Sequence, residues 1–166
     1  MKKAIALLAA LAANTASSQP VSFFADALTS GKSTMNAPVD ATFSAAQQVI
    51  QQKTGSSGEL QFIAWRIQKF TQQSKCGRVG FVAYQPSTGT AFPEIGGELN
   101  ICEDGMPPLR ECAAIGLVPV SAKCPDGSAP SDTKEVRDAI SDAIKRGGLT
   151  YAQVSQMLKT NKGVQK

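Results

Sequence analysis

The sequence predicts an α+β protein with an N-terminal helical hairpin, a small disulfide-held antiparallel strand region and a C-terminal helical hairpin. Apolar residues recur at helical spacing near both ends of the chain, which favours helices there. Between residue 76 and about residue 120, short apolar runs are separated by Gly and Pro, which favours strands and turns. All four cysteines lie between residues 76 and 124, so we expect disulfides to hold this strand region.

Residues 1–18 have the three parts of a secretory signal peptide. Lys2 and Lys3 give a positive start, residues 4–13 form an apolar run, and small residues follow. This run of 10 residues is too short to cross a bilayer, which takes about 20. Cleavage after Ala16 and cleavage after Ser18 both fit the pattern. We therefore expect a periplasmic or secreted protein of about 150 residues, the size of one domain, with no membrane span after cleavage.

The charge of the chain gives no support for nucleic-acid binding. The formal net charge of +4 falls to +2 when Lys2 and Lys3 leave with the signal peptide, because no acid precedes Asp26. The charges are unevenly distributed: residues 94–126 hold six acids and two bases, whereas seven bases face three acids from residue 133 onward. We interpret this contrast either as two solvated surfaces or as an attraction for partners.

An even number of cysteines in an exported chain predicts two disulfides, formed among Cys76, Cys102, Cys112 and Cys124. A zinc site fits poorly, because the cysteines are widely spaced and the sequence has no histidine. The strands predicted at 78–84 and 98–102 suggest the pairing. If they are antiparallel neighbours, the start of the first lies beside the end of the second. This places Cys76 next to Cys102 and leaves Cys112 for Cys124.

The N-terminal half is predicted to hold a loose arm and two helices. Residues 19–39 are interpreted as an arm that docks through Phe23 and Phe24. A single α+β domain follows at residues 40–160. Its first two helices are predicted at about 40–53 and 57–71, and a short Gly-Ser turn between them indicates an antiparallel hairpin. The sequence Ser-Ser-Gly-Glu before the second helix matches a capping box.

The C-terminal part is predicted to hold two further helices. The first begins after Asp132, a suitable N-cap with Glu135 three residues later, and ends at two glycines. Its apolar stripe is Val136, Ala139, Ile140, Ala143 and Ile144. A second short helix is predicted at 150–158, followed by a basic tail at 161–166.

The sequence offers few groups for catalysis. Without histidine, no histidine-based triad or thiolate–imidazole pair can form, and paired cysteines leave no thiol nucleophile. Two acid pairs, Glu94 with Glu98 and Glu103 with Asp104, are the remaining candidates, for glycoside cleavage. We expect no catalytic residue, no cofactor and no metal.

Two aromatic residues, Phe62 and Trp65, lie off the apolar stripe of the predicted helix 57–71. Either the helix is buried on two sides, with Phe23 and Phe24 as a cover, or the two aromatics form an exposed interface for a protein partner.

The expected function is that of an exported, non-enzymatic binding or accessory protein in the periplasm. A cell-envelope assembly such as a secretion or conjugation apparatus is the expected setting, with a protein as the partner and no nucleic acid. The alternative is a secreted effector, including a small carboxylate-dependent hydrolase. The sequence leaves the oligomeric state open.

Overall fold

The computed structural model describes residues 20–38 and 41–148, and residues 150, 152, 154, 156 and 157. The predicted signal peptide, residues 1–18, and the basic tail, residues 161–166, lie outside the described residues. Within them the chain forms, in order, α1 (Pro20–Ser30), β1 (Lys32–Asn36), α2 (Ala41–Thr54), β2 (Gln61–Lys69), β3 (Cys76–Gln85), β4 (Thr90–Cys102), β5 (Arg110–Cys112), β6 (Gly116–Val118) and α3 (Lys134–Lys145).

The centre of the fold is a four-stranded antiparallel sheet with the order β1-β2-β3-β4. Consecutive strands are neighbours, so short connections suffice. A turn at residues 86–89 joins β3 to β4, and Gly89 adopts the left-handed conformation that this turn requires. The mixed class and the antiparallel sheet agree with the sequence-based prediction. A second, two-stranded sheet pairs β5 with β6.

Both faces of the central strands are covered. On one face, which we call the helix face, Phe62 and Val79 pack with Phe23, Leu28 and Ile50 of α1 and α2. On the opposite face, Ile63, Val82 and Ala91 pack with Val154, and Trp65 and Met157 contact this cluster. Successive residues of a strand point to opposite faces, so β2 and β3 are apolar at both odd and even positions.

The predicted helix 57–71 is wrong, because residues 61–69 form strand β2. A strand buried on both faces is a nearly continuous apolar run, and such a run also satisfies helical spacing. The capping-box residues have another role: the Ser56 hydroxyl hydrogen-bonds the Ser87 hydroxyl and accepts the N–H of Gly58. The N-terminal helical hairpin is therefore absent from the described residues, and α2 is followed by the sheet.

The segment expected as a loose arm is also ordered. Residues 20–30 form α1, and residues 32–36 form edge strand β1 of the sheet. Pro20 suits the first turn of a helix, and Gly31, with a φ of 95°, ends it. Docking through the phenylalanines is observed, because Phe23 is buried and the ring of Phe24 lies 5.2 Å from that of Phe81.

Helix α3 packs against the disulfide end of the sheet. Val136 and Ala139 contact Phe70 and the Cys76–Cys102 pair. Ile144, expected on the buried stripe, is 74% exposed. The prediction of Asp132 as the N-cap is wrong: Thr133 is the N-cap and makes no side-chain capping bond, while Asp132 pairs with Arg110.

The predicted C-terminal hairpin is not matched, because α3 is the one C-terminal helix whose bounds the described residues show. Of the predicted second helix, residues 152, 154, 156 and 157 are helical. The Val154 N–H donates to the Thr150 carbonyl, and Val154 is buried on the opposite face of the sheet. In the part of the chain that is described, no helix is long and apolar enough to span a membrane.

Candidate functional site

The two disulfides lie at one end of the main sheet and just beyond it. Cys76 begins β3 and stands directly opposite Cys102, the last residue of β4, and the two are bonded. Cys112 is bonded to Cys124, 12 residues later. This is the pairing that the antiparallel strand prediction gave. Two disulfides are compatible with an oxidising compartment outside the cytosol.

Beyond the first disulfide, residues 103–131 form a small unit that we call the hairpin lobe. It contains the β5–β6 hairpin, extended by an isolated bridge between Glu111 and Ser131. Its own core is Cys112, Val118 and Cys124, with Ala122 packed against them. Closing the loop between Cys112 and Cys124 contributes about 3 kcal/mol to the free energy of unfolding in the chain-entropy model. The disulfide is therefore the main stabilising feature of so small a core.

A buried glutamine attaches the lobe to the sheet. Gln73 is 8% exposed; its side-chain Nε2 donates to the Leu109 carbonyl at 3.1 Å, and its Oε1 accepts the Leu109 N–H at 2.7 Å. Both amide atoms are therefore satisfied by the backbone of a single lobe residue.

A carboxylate on α3 in turn holds the glutamine in place. The Glu135 carboxylate accepts the backbone N–H groups of Thr71, Gln72 and Gln73 at 2.8–3.1 Å. These are charge-assisted hydrogen bonds, which are stronger than neutral ones. Helix α3 thus fixes the turn at 71–73, and this turn fixes the lobe.

Between this turn and the lobe lies a groove of about 1040 Å³. The Cys76–Cys102 disulfide lines it, and Gln72, Ser74 and Lys75 form a polar side. The lobe contributes its apolar lining: Met106, Pro107, Leu109, Leu117, Pro119 and Val120. The volume is slightly above the range for small-molecule sites, about 300–1,000 Å³.

Among the residues that the structure describes, most of the large apolar side chains that are exposed belong to the hairpin lobe, and four of them line the groove. Seven large apolar residues are exposed among those that the structure describes, and two of them, Val49 and Ile144, lie elsewhere. The other five are between 39% and 61% exposed and belong to the lobe: Met106, Leu109, Ile115, Leu117 and Val120. Clustered exposed apolar groups mark interaction surfaces, whereas isolated ones are ordinary.

The lobe also has an excess of acids. It holds Glu103, Asp104, Glu111 and Asp126 against Arg110 and Lys123. Glu103 pairs with Lys69 at 3.0 Å, and Arg110 pairs with Asp132 at 3.0 Å. The Ser128 hydroxyl and backbone N–H donate to Asp126 and lower the pKa of its carboxyl below the usual 3.8, so it stays charged in mild acid.

The structure separates the two aromatics proposed as an interface. Phe62 is buried on the helix face, with its ring 5.5 Å from that of Phe43, and so is not part of an exposed patch. Trp65 is half-buried on the opposite face, so close to Gly80 that a Cβ there would lie 2.7 Å from Trp65 Cζ2. Residues an odd number of positions apart on a strand lie on opposite faces. Phe23 and Phe24 pack in or against the cluster that contains Phe62, so the predicted cover lies on the face opposite Trp65.

Each candidate catalytic acid is engaged in a local contact. The Glu98 side chain is buried and pairs with Arg78 at 2.6 Å and Arg146 at 3.2 Å. Glu94 pairs with Lys53 at 3.9 Å, and the Asp104 carboxylate accepts the Met106 N–H. Within the described ranges, no three His, Cys, Asp or Glu residues are grouped as metal ligands would be.

The groove is the feature that sequence reasoning missed. Residues 113–123 lie between the paired cysteines of the lobe and carry a single charged residue, Lys123. An almost uncharged loop closed by a disulfide has too few residues to bury its own apolar groups, and this was the available signal.

Comparison of the chain with protein-family models, with curated proteins and with solved structures found no match.

Proposed function

We propose that this chain is an exported, non-enzymatic accessory protein that binds a protein partner in the cell envelope through the groove and the exposed apolar side chains of its lobe. The observation that carries the proposal is that five exposed large apolar residues belong to one small lobe, whose β5–β6 hairpin is closed by the Cys112–Cys124 disulfide: Met106, Leu109, Ile115, Leu117 and Val120. An apolar centre surrounded by polar groups is the usual layout of a protein interface.

The charges of the lobe favour a particular kind of partner. Asp104, Glu111 and Asp126 form no ion pair within the described residues. Anionic lipid headgroups and nucleic acids would be repelled by this acid excess. A protein surface with apolar side chains rimmed by Lys or Arg would be complementary to it, and such complementarity steers association.

The attachment of the lobe also suits a binding function. The disulfide, the Gln73 contacts and the Glu135 contacts hold the groove in one shape before a partner arrives. A preformed surface loses less conformational entropy on binding, so more of the contact energy appears as affinity.

The cellular setting is proposed from the N-terminal sequence and the disulfides. A positive start, an apolar run and small residues direct a chain out of the cytosol. Disulfides persist in the oxidising compartments outside the cytosol. A secretion or conjugation apparatus is the kind of envelope assembly such a chain would serve. A carboxylate-dependent hydrolase has less support, because Glu94, Glu98 and Glu103 are each paired with a base.

Site-specific photocrosslinking in cells that produce the full chain tests the proposal. A crosslinker at Leu117 should capture one envelope protein, whereas a crosslinker at Ile144, an equally large exposed residue outside the lobe, should not capture it. With both proteins purified, Leu117→Asp should weaken binding by about thirtyfold, the effect of an interface hot spot, while Ile144→Asp should leave it unchanged.

Two results would contradict the proposal. One is equal capture at Leu117 and Ile144. The other is binding of the chain to phosphatidylglycerol vesicles that Leu117→Asp abolishes, since the groove would then serve a lipid surface.

A further inference from the structure

The hydrogen bonds of β1 show which of its backbone groups face outward. The Arg66 N–H donates to the Gly31 carbonyl, and the Ala37 N–H donates to the Leu60 carbonyl, both at 2.9 Å. In an antiparallel pair, every second residue bonds to the neighbouring strand. Gly31, Ser33, Met35 and Ala37 therefore face β2, and the N–H and C=O groups of Lys32, Thr34 and Asn36 face away from the sheet.

The other edge of the sheet, β4, has features that discourage further pairing. Three residues, Pro93, Glu94 and Ile95, are unpaired where the β3–β4 register shifts, and Gly96 and Gly97 follow them. Proline and bulges are common protections of edge strands. Strand β1 has neither: its five residues pair with β2 in an unbroken register. Thr34 and Asn36 are exposed, so their outward groups are accessible.

We infer that β1 pairs with β1 of a second copy of this chain, antiparallel about a two-fold axis at Thr34, and joins two four-stranded sheets into one. Thr34 then faces Thr34 of the other copy, and Lys32 faces Asn36. The outward groups of the three residues make about six backbone hydrogen bonds across the axis. Two-fold dimers are the commonest assemblies of identical chains.

The side chains of β1 fit this register. No like charges lie opposite each other, because Lys32 faces an amide, and a Thr–Thr pair is favourable across strands. The Lys32 carbonyl already accepts the Ser30 hydroxyl at 2.7 Å, but a carbonyl has two lone pairs and can accept a second donor. A register centred on Lys32 would place two lysines opposite each other, and fewer residues of β1 would pair across the two-fold axis.

The inference is independent of the proposed function. None of the residues lining the groove belongs to β1, so a dimer of this kind leaves the groove free. Because the strand has five residues, we expect a weak, concentration-dependent dimer.

Sedimentation equilibrium of the purified chain over a wide concentration range is the test, with Thr34→Pro as the first variant. Proline removes the outward N–H of Thr34 without removing a bond to β2, and edge strands tolerate it. The dimer dissociation constant should rise about tenfold or more, since two symmetric hydrogen bonds are lost. Thr34→Val keeps the N–H and should retain the dimer.

Two charge variants test the register and do not depend on the folding of the proline variant. Asn36→Asp places an acid opposite Lys32 and should tighten the dimer about two- to fivefold, while Asn36→Lys should weaken it by a similar factor. A chain that is monomeric at every concentration would overturn the inference. So would a dimer that none of the Thr34→Pro, Asn36→Asp and Asn36→Lys substitutions alters.

Discussion

The four-stranded sheet and the hairpin lobe differ in how far their apolar side chains are buried. Helices cover one face of the sheet and C-terminal residues contact the other, so Val79 and Val82 of β3 are fully buried, as is Leu28 of α1. In the lobe, a cluster of three buried residues forms the core, and five large apolar residues are exposed. The sheet is stabilised by packing, whereas the lobe depends on covalent closure and on contacts from outside. A region that does not need its apolar residues for folding can use them for binding.

The largest expected effect is the difference in the free energy of unfolding between two leucine-to-alanine variants. Leu28→Ala should lower the free energy of unfolding by about 2–5 kcal/mol, because Leu28 is fully buried against the sheet. Leu117→Ala should change it by about 0.5 kcal/mol or less, because Leu117 is 44% exposed. Urea denaturation followed by circular dichroism measures both. Equal losses would show that the lobe is part of the main core.

Removing the lobe disulfide should give the next largest effect. The double substitution Cys112→Ser with Cys124→Ser should destabilise the lobe by about 3 kcal/mol, since the unfolded loop is no longer constrained. Hydrogen exchange should then speed up at residues 116–118 while the amides of β3 stay protected. Equal loss of protection in β3 would mean that the lobe and the sheet unfold as one unit.

A smaller effect is expected at the connection between the two regions. Glu135→Gln should lower the free energy of unfolding by about 1–3 kcal/mol, because the three backbone donors at 71–73 lose their charged acceptor. Asp138→Asn is the control, since Asp138 is an exposed residue of the same helix paired with Lys134. If the two variants unfold at the same urea concentration, the Glu135 contacts do not stabilise the fold.

The smallest effect concerns the pH dependence of the lobe. The folded-state pKa of Asp126 lies below the usual 3.8, so its contribution to stability is present above that value and is lost as the pH falls through the lowered pKa. Ser128→Ala removes the hydroxyl that is the largest cause, and the pKa should move upward. An NMR titration of the Asp126 carboxyl checks this, and an unchanged midpoint would rule out the Ser128 hydrogen bond as the cause.

The sequence predicts best the elements whose pattern has one interpretation. The paired strands β3 and β4 and both disulfides follow from alternation and cysteine count, and α3 follows from its apolar stripe and terminal glycines. Strand β2 was not predicted, because burial on both faces removes the alternation of apolar and polar residues. Phe62 and Trp65, which lie off the apolar stripe of the predicted helix, were the sign of this double burial. The prediction of a loose arm at 19–39 is wrong because α1 and β1 are stabilised by contacts with distant residues such as Phe81.

The candidate site was the least predictable part. The groove lies between two segments about 30 residues apart in sequence, and Gln73 and Glu135 assemble it through contacts with no periodic signature. The loop at 113–123, with Lys123 as its single charge, could have indicated an exposed apolar surface, but it gives no sign of the turn at 71–73 that forms the other side of the groove.

The order of the cysteines along the chain has a consequence for maturation. Each disulfide joins neighbours in sequence, Cys76 with Cys102 and then Cys112 with Cys124. If the chain is exported as proposed, N-terminus first, its thiols reach the oxidising compartment in this same order. Joining each thiol to the next one that emerges gives the native pairs directly, so oxidation needs no later thiol–disulfide reshuffling. Such a protein should reach its native pairs in cells that lack a disulfide isomerase.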